Sequence, residues 1–474
     1  GNHAARIMLV GEAPASTEVR TGMPFPGRAG AELDKLLRAA NIEREACYLT
    51  NASLEPVHGD KKAFFWQGGQ PSQVYIAGIA QLLRDIEEIR PNVVVPLGNY
   101  AMWALLQMDG IMKHRGSIYW SELANVKVIP TIHPAAILRG RPDEDQKSQG
   151  GMYKMRNPII WDLQRARQQS AFPDMRLRPR TLLVDPTGLV YEEAVERLRN
   201  AQRLTFDIES FGGTRLACVG FSDDDPEWAV TFSTKGQRVD RCSLFKELLE
   251  SDVPKTGQNL QYDCTMLDQD DIHPKNVEWD TMVASHILYP DLRKGLDFLT
   301  SIYTDIPYYK EEGKEFWKRE GSATPAELQQ YYLYNAKDVV STTEVRQAQQ
   351  QELEERGLMH IFRGVMDVFE PMRWATYRGV NVDHGKLLEL INETIEKRDK
   401  AHAELVATWC EGEEINVNSH VQVKKLLYEK LQLSNRKNQS SDAPTILNIA
   451  ATTGNRAPYL IIAERRANKP LSNY

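Results

Sequence analysis

The most restrictive feature of this chain is an alternation in its first third. Short apolar runs at residues 7–10, 93–97 and 126–132 are interleaved with amphipathic stretches at 31–40 and 79–89. Runs of strand length between segments of helical periodicity predict α/β layering. From 139 to 180 the sequence turns polar and arginine-rich, with Pro142, Gly150, Gly151, Pro173 and Pro179, and a strand-like run at 181–184 follows. A domain boundary is expected near Pro173.

The second segment runs through strand-like stretches at 204–208 and 217–221 and becomes helical from about Thr324, and from Leu358 onward the pattern is mostly helical. A long amphipathic stretch covers 386–409, and a polar break lies between Ser434 and Pro444. A length of 474 residues suits three domains, placed at 1–172, 173–355 and 356–474. No apolar run approaches the roughly 20 residues that span a bilayer. The start leaves no room for a signal peptide, so a cytoplasmic location is expected. The five cysteines form no CxxC pair, which argues for reduced thiols and against a disulfide framework or zinc ribbon. A net charge of −7 leaves DNA binding to local basic faces.

Carboxylates carry the clearest chemical signal. Hydrolysing a phosphodiester at neutral pH requires a deprotonated water and neutralisation of the leaving oxygen, which two divalent cations held by hard oxygen ligands supply. In Phe206-Asp207-Ile208-Glu209 the strand period of two puts Asp207 and Glu209 on one face. Asn259 and Asp263 are four apart, as are Tyr334 and Asp338, and each pair is expected on one helical face. Taken singly, such residues are ordinarily solvated or capping groups. Their order and separation give them weight, and Asp280-Thr281 and Leu296-Asp297-Phe298-Leu299 add to the pattern.

Residues 181–350 resemble the proofreading 3′-5′ exonuclease domain of DNA polymerase I-type (family A) enzymes, a ribonuclease H-like fold. The resemblance implies two Mg²⁺ or Mn²⁺ ions on Asp207, Glu209, Asp263 and Asp338. Asp207 would bridge both ions and Asp263 would reach one through water. Tyr334 would orient the attacking water, Asn259 would contact substrate, and the substrate would be a single-stranded 3′ end of DNA.

Gly11-Glu12-Ala13-Pro14 follows the first strand-like run, and Pro24-Phe25-Pro26-Gly27, Leu49-Thr50-Asn51 and Ile132-His133-Pro134 lie further on. Together they make residues 6–168 resemble the uracil-DNA glycosylase superfamily, especially its iron–sulfur branch, with a glycosylase-like α/β/α sandwich. The resemblance implies that Phe25 stacks on a flipped base, Asn51 reads its edge, His133 stabilises the leaving uracil and Glu12 positions water. That branch holds its cluster on four cysteines. Here Cys47 stands alone, and Ala52-Ser53 follow the Thr-Asn motif, so no iron–sulfur cluster is expected. An active glycosylase and a uracil-sensing or architectural module are both open.

Arg378-Gly379-Val380-Asn381 and Asn416-Val417-Asn418-Ser419, with Ser419 as a helix cap, resemble the start of the α-helical thumb of a family A polymerase. Arg465, Arg466 and Lys469 would contact phosphates. The palm and fingers are not in this sequence, and Tyr474 falls inside the thumb pattern, so a natural or engineered truncation is expected. The expected whole is the front part of a phage-type polymerase, completed by palm and fingers in the full-length or split protein. A non-catalytic DNA-binding or assembly module of a split polymerase is the other class of reading.

Overall fold

The structure, a computed structural model, describes residues 2–138, 152–234, 238–314, 323–433 and 439–472. Residues 139–151 of the polar connection, the start of the polar break at 434–438, and Tyr474 lie outside the described residues. Contacts divide the chain into two compact units, 1–377 and 378–474.

The first domain of the larger unit is built on strands β1 (Ile7–Gly11), β2 (Cys47–Asn51), β3 (Val93–Pro96), β4 (Tyr119–Ser121) and β5 (Val126–Val128) in the order β2-β1-β3-β5-β4. All pairings are parallel except the antiparallel edge β4/β5. The strand period of two decides the layering. Ile7 and Leu9 face Leu33, Leu36, Ile159 and Leu163, while Met8 and Val10 face Leu82, Ile86 and Leu105. Both faces are dry, which gives the expected sandwich, with helices Arg28–Ala39 and Arg156–Gln169 on one side and Gln73–Ile89 and Asn99–Leu106 on the other. The second of these, Arg156–Gln169, comes from the arginine-rich connection and buries Ile159, Leu163 and Ala166. That part of the arginine-rich stretch belongs to the core.

The second domain carries β6 (Thr181–Val184), β7 (Leu204–Phe211), β8 (Arg215–Ser222), β9 (Trp228–Ser233), β10 (Lys255–Gly257) and β11 (Val277–Asp280) in the order β11-β10-β7-β8-β9-β6. Pairings β7/β8 and β8/β9 are antiparallel and the others parallel, giving a mixed sheet. On one face Phe206, Ile208, Val219, Phe221, Val230 and Phe232 form an apolar core. Helix α1 (Pro325–Glu355) covers the other face. Its start follows a capping box, in which Thr324 Oγ1 accepts the Glu327 N–H and Glu327 accepts the Thr324 N–H, with Pro325 in the first turn. Ala336, Val339 and Val340 of this helix pack on Ala229. Helices Met359–Met366 and Phe369–Arg378 extend this unit. Phe362 lies 4.2 Å from Trp279 between ring centroids, and Arg373 makes a bidentate pair with Asp268 at 2.8 and 2.5 Å.

A buried polar seam joins the two domains. Arg115 donates to Asp162 Oδ2 at 3.0 Å, to Ser301 Oγ at 3.0 Å and to Pro158 O at 3.1 Å, and Thr131 donates to Asp162 at 2.6 Å. Arg165 bridges Gly116 O at 2.6 Å and Ile302 O at 2.7 Å. With each donor satisfied, the ion pair tolerates burial, and loss of one partner would strand a charge. Apolar packing of Leu296, Phe298 and Leu299 against Ile118 and Leu163 closes the rest.

The smaller unit is helical. Helix His384–Trp409 packs along Ala457–Leu471, with Leu405, Leu427, Ile446 and Ile461 in its core. Ser419 caps the helix that follows it, accepting the Gln422 N–H. Arg465, expected on phosphates, spends its guanidinium inside the unit on Val417 O at 2.6 Å and Ser441 O at 2.7 Å. Arg466 and Lys469 are exposed.

The closest approach of helix to sheet depends on one residue. Gly220 stands opposite Asp207 in the β7/β8 register. A Cβ there would lie 2.2 Å from Asn335 Oδ1 and 2.8 Å from Val339 Cγ2. Gly220→Ala is therefore expected to push α1 off the sheet and to lower the unfolding free energy by about 1–3 kcal/mol. A urea midpoint that falls with unchanged slope would agree, and an unchanged midpoint would contradict this packing.

Candidate active site

Strand β7 is the root of the carboxylate centre. Its pleat turns Phe206 and Ile208 into the core and Asp207 and Glu209 toward α1. Gly220 lets α1 come close enough for Asn335 Nδ2 to donate to Asp207 Oδ2 at 2.8 Å and to the Asp207 carbonyl at 3.2 Å. Thr231 donates to Asn335 Oδ1 at 2.9 Å, which fixes the amide's orientation. One turn earlier on α1, the Tyr331 hydroxyl donates to Glu209 Oε2 at 2.9 Å. One turn later, Asp338 completes the group. Oxygens of Asp207, Glu209 and Asp338 all lie within 4.8 Å of one another.

Asp263, the fourth expected acid, comes from the first turn of helix Leu260–Gln269, and its Oδ1 accepts the Ile208 N–H at 3.2 Å. The expectation that Asn259 shares a helical face with Asp263 is corrected. Asn259 is the cap preceding the helix, with φ +58°. Asp280 accepts both the Asn259 N–H at 3.1 Å and the Leu260 N–H at 2.8 Å. That carboxylate satisfies the helix's first donors and holds Asn259 in the left-handed conformation that asparagine tolerates.

Tyr334 lies on the same face of α1 as Asp338, as its spacing predicts. Between them sits a residue that sequence reasoning missed. Lys310 Nζ donates to Tyr334 Oη at 2.9 Å and to Asp338 Oδ2 at 2.5 Å. Its neighbour Tyr309 donates to Asp338 Oδ1 at 2.6 Å. Neither belongs to a periodic element, so no spacing marked them. Tyr331 and Asn335 were legible in principle as further residues on the Tyr334/Asp338 stripe.

The electrostatics follow from crowding like charges in a poor solvent. Burial first, then the Asp338 charge, pushes the Asp207 carboxyl well above the usual range. The same two causes raise Glu209 to about 8, and burial raises Asp263 to about 8. The Lys310 ammonium opposes the shift at Asp207 and Glu209. A set of hard oxygen donors that resist ionising together fits divalent cations such as Mg²⁺.

The residues singled out in the first domain also converge. Glu12 directly follows β1 and Asn51 ends β2. A Cβ on Gly11 would lie 2.2 Å from Asn51 Oδ1 and 2.7 Å from Phe25 Cζ. A Cβ on Gly98, at φ +98°, would lie 2.5 Å from Glu12 Oε1 and 3.3 Å from His133 Cβ. Two glycines thus make room for all four side chains at the strand ends, where α/β sheets place ligands. The Phe25 and His133 rings are 6.0 Å apart. Phe25 holds φ +52°, a costly conformation for an aromatic residue. It is enforced by Glu18, which accepts the Phe25 N–H at 3.0 Å, and by Arg44, which donates to Pro24 O at 2.7 Å. Ala135 N–H donates to His133 Nδ1 at 3.1 Å, which places the proton of the neutral ring on Nε2. Lys61, also missed, forms an ion pair with Glu12. Cys47 is buried in β2 with its thiol pushed up to about 12, and it is the one cysteine in residues 1–172, so the donors present do not fit a four-cysteine cluster.

Residues 1–154 match the family model described as "Uracil DNA glycosylase superfamily", and residues 190–354 match that described as "3'-5' exonuclease" of the family A DNA polymerases. The type-4 uracil-DNA glycosylase of Archaeoglobus fulgidus is 33% identical over 177 residues, covering 34% of this chain and 84% of that protein. The DNA polymerase of Bacillus phage SP01 is 29% identical over 140 residues, 29% of this chain. DNA polymerase I of Borreliella burgdorferi is 22% identical over 270 residues, 55% of this chain. The matched regions span 14% and 29% of these two polymerases. Exonuclease domains of this kind use divalent metals and act on DNA. Among the described residues no helix is long and apolar enough to cross a membrane.

The raised pKa values predict how stability varies with pH. A carboxyl raised in the folded state keeps a proton that the unfolded chain releases near its ordinary pKa of about 4, so unfolding releases protons. In chelator, the thermal midpoint should therefore fall as pH rises from about 5 toward 8, the range set by Glu209 and Asp263. Glu209→Gln should flatten the slope. A midpoint that rises over that interval would contradict the assignment.

Proposed function

We propose that this chain, which belongs to the uracil-DNA glycosylase superfamily through its first domain and carries a family A 3′-5′ exonuclease domain in its second, removes nucleotides from single-stranded 3′ ends of DNA with two Mg²⁺ or Mn²⁺ ions. The observation that carries this reading is the convergence of Asp207, Glu209 and Asp338 within 4.8 Å on a strand and helix held together by Asn335. Asp207 would lie between the two ions, Glu209 and Asp338 would hold one, and Asp263 would serve the other through water. Bound there, the ions supply a water of lowered pKa and offset charge on the leaving oxygen.

The protein's own groups do the rest. Asn335 and Tyr331 aim the Asp207 and Glu209 carboxylates, so their orientation is set before substrate arrives. Tyr334, held by Lys310, would orient the attacking water. Asn259, at the head of the helix that bears Asp263, would contact the terminal nucleotide.

The first domain would take a uracil flipped from DNA between Phe25 and His133, with Asn51 reading its edge. In this reading His133 offers Nε2–H to the charge on a leaving base, and Glu12 positions water. A uracil-sensing module and an active glycosylase are the two readings of this pocket, and the Lys61 ion pair on Glu12 belongs to it in either. We assign 1–172 to the glycosylase-like domain and 173–355 to the exonuclease. The helices at 356–377 pack against the exonuclease, and the remainder to 474 is the thumb-like start of a polymerase module that palm and fingers would complete.

One substrate separates the activities. With a 3′-labelled single-stranded oligonucleotide carrying one uracil, Asp207→Ala is expected to abolish Mg²⁺-dependent 3′ degradation, and persistent degradation would refute the nuclease assignment. In excess chelator followed by hot alkali, the sensing reading predicts an intact strand that the protein still binds in preference to a thymine control. Cleavage at the uracil would make the domain an active glycosylase, with Glu12, Asn51 and His133 as its working residues.

A further inference from the structure

The acidic centre has an ammonium built into it, and the loop that delivers this group is held from both sides. Lys310 Nζ bridges Tyr334 Oη at 2.9 Å and Asp338 Oδ2 at 2.5 Å. With Tyr309 on Asp338 Oδ1, two consecutive loop residues engage both oxygens of one expected metal ligand. The Lys310 side chain is 16% exposed and lines a groove of about 410 Å³ with Glu209, Arg293, Asp297, Tyr331 and Tyr334. The ammonium thus sits at the wall of an open groove that Glu209 also lines.

The anchors of this loop come partly from the first domain. The Tyr308 ring meets His114 edge-on at 5.2 Å, and Lys113 pairs with Glu311 at 2.5 Å. The Tyr308 hydroxyl donates to Glu311 at 3.1 Å, and Arg165 holds the Ile302 carbonyl just before the loop. On the other side, Lys337 of α1 pairs with Glu312 at 2.5 Å. The exposed Lys113–Glu311 pair contributes little by itself. The buried seam at Arg115 and Arg165 sets the position on which the smaller contacts build.

We propose that Lys310 is a positioning residue of the nuclease centre that holds the Tyr334 hydroxyl beside Asp338 and turns a fixed positive charge toward the scissile phosphate, on a loop braced by the first domain. The inference rests on the nuclease reading above. Negative charge grows on the phosphoryl and leaving oxygens during hydrolysis, and a cation already in place stabilises it without reorganising. The same ammonium weakens the pull of the carboxylates on a divalent ion, because like charges nearby repel. Its removal therefore acts in opposite directions on metal affinity and on rate. A purely structural residue would lower both.

The test uses the full chain. Mn²⁺ affinity is measured by calorimetric titration without DNA, and single-turnover hydrolysis of a 3′-labelled single-stranded oligonucleotide is measured in Mg²⁺. Lys310→Met, and Lys310→Gln as a second variant that keeps a donor, should bind Mn²⁺ at least as tightly as the parent while hydrolysis falls about 10²-fold. Lys310→Arg, which keeps the charge, should recover hydrolysis to within about tenfold of the parent. Hydrolysis unchanged in both neutral variants, or Mn²⁺ affinity and hydrolysis lost together in both, would overturn the proposal. The titration needs no turnover, so the two failures are distinct. A parent that binds Mn²⁺ but cuts nothing would refute the nuclease reading, whereas weaker Mn²⁺ binding by the neutral variants would refute the role given to Lys310.

Discussion

Four carboxyl groups gathered at one place in a protein interior repel one another and resist losing their water, and the second domain is arranged around that cost. Asp207, Glu209 and Asp263 are all pushed upward by burial, with neighbouring charge adding to it. The surrounding hydrogen bonds, from Asn335 to Asp207, from Tyr331 to Glu209, from the Ile208 amide to Asp263 and from Tyr309 to Asp338, hold each oxygen in place against the repulsion. Gly220 makes this possible by letting α1 lie close to β8. A site of this kind is preorganised for dications because the protein alone does not neutralise it.

The same logic reaches into the first domain. The loop carrying Tyr309 and Lys310 is fixed on one side by α1 and on the other by residues 113–114, and the seam at Arg115, Asp162 and Ser301 sets the spacing. A glycosylase-like fold is thus a structural component of the nuclease centre as well as the bearer of its own pocket. The fused domains share a core in which Leu296, Phe298 and Leu299 of one pack with Ile118 and Leu163 of the other.

Periodicity made much of this legible. The alternation in β7 placed Asp207 and Glu209 on one face, the four-residue spacing in α1 aligned Tyr334 with Asp338, and the helical pattern read from about Thr324 matches where that helix begins. Features set by long-range contact were not legible. Asn259 was read as helical because its spacing to Asp263 fits a helix, yet Asp280, 21 residues away, captures its N–H and turns it into a left-handed cap. Lys310 lies in an irregular loop and Lys61 just past one, so their partners Asp338 and Glu12 emerge only with the fold. Arg115 and Asp162 are 47 residues apart, and nothing in the polar, arginine-rich composition of 139–180 marks the pairing between them.

In the proposed nuclease reaction Asp207 would anchor a pair of cations between β7 and α1. The most direct measurement is anomalous diffraction from crystals of the full chain soaked in Mn²⁺ with a 3′ nucleotide. Two manganese peaks about 3.5–4 Å apart that share Asp207 as a ligand are expected. Peaks placed away from Asp207, or a single ion that leaves Asp207 uncoordinated, would contradict that role.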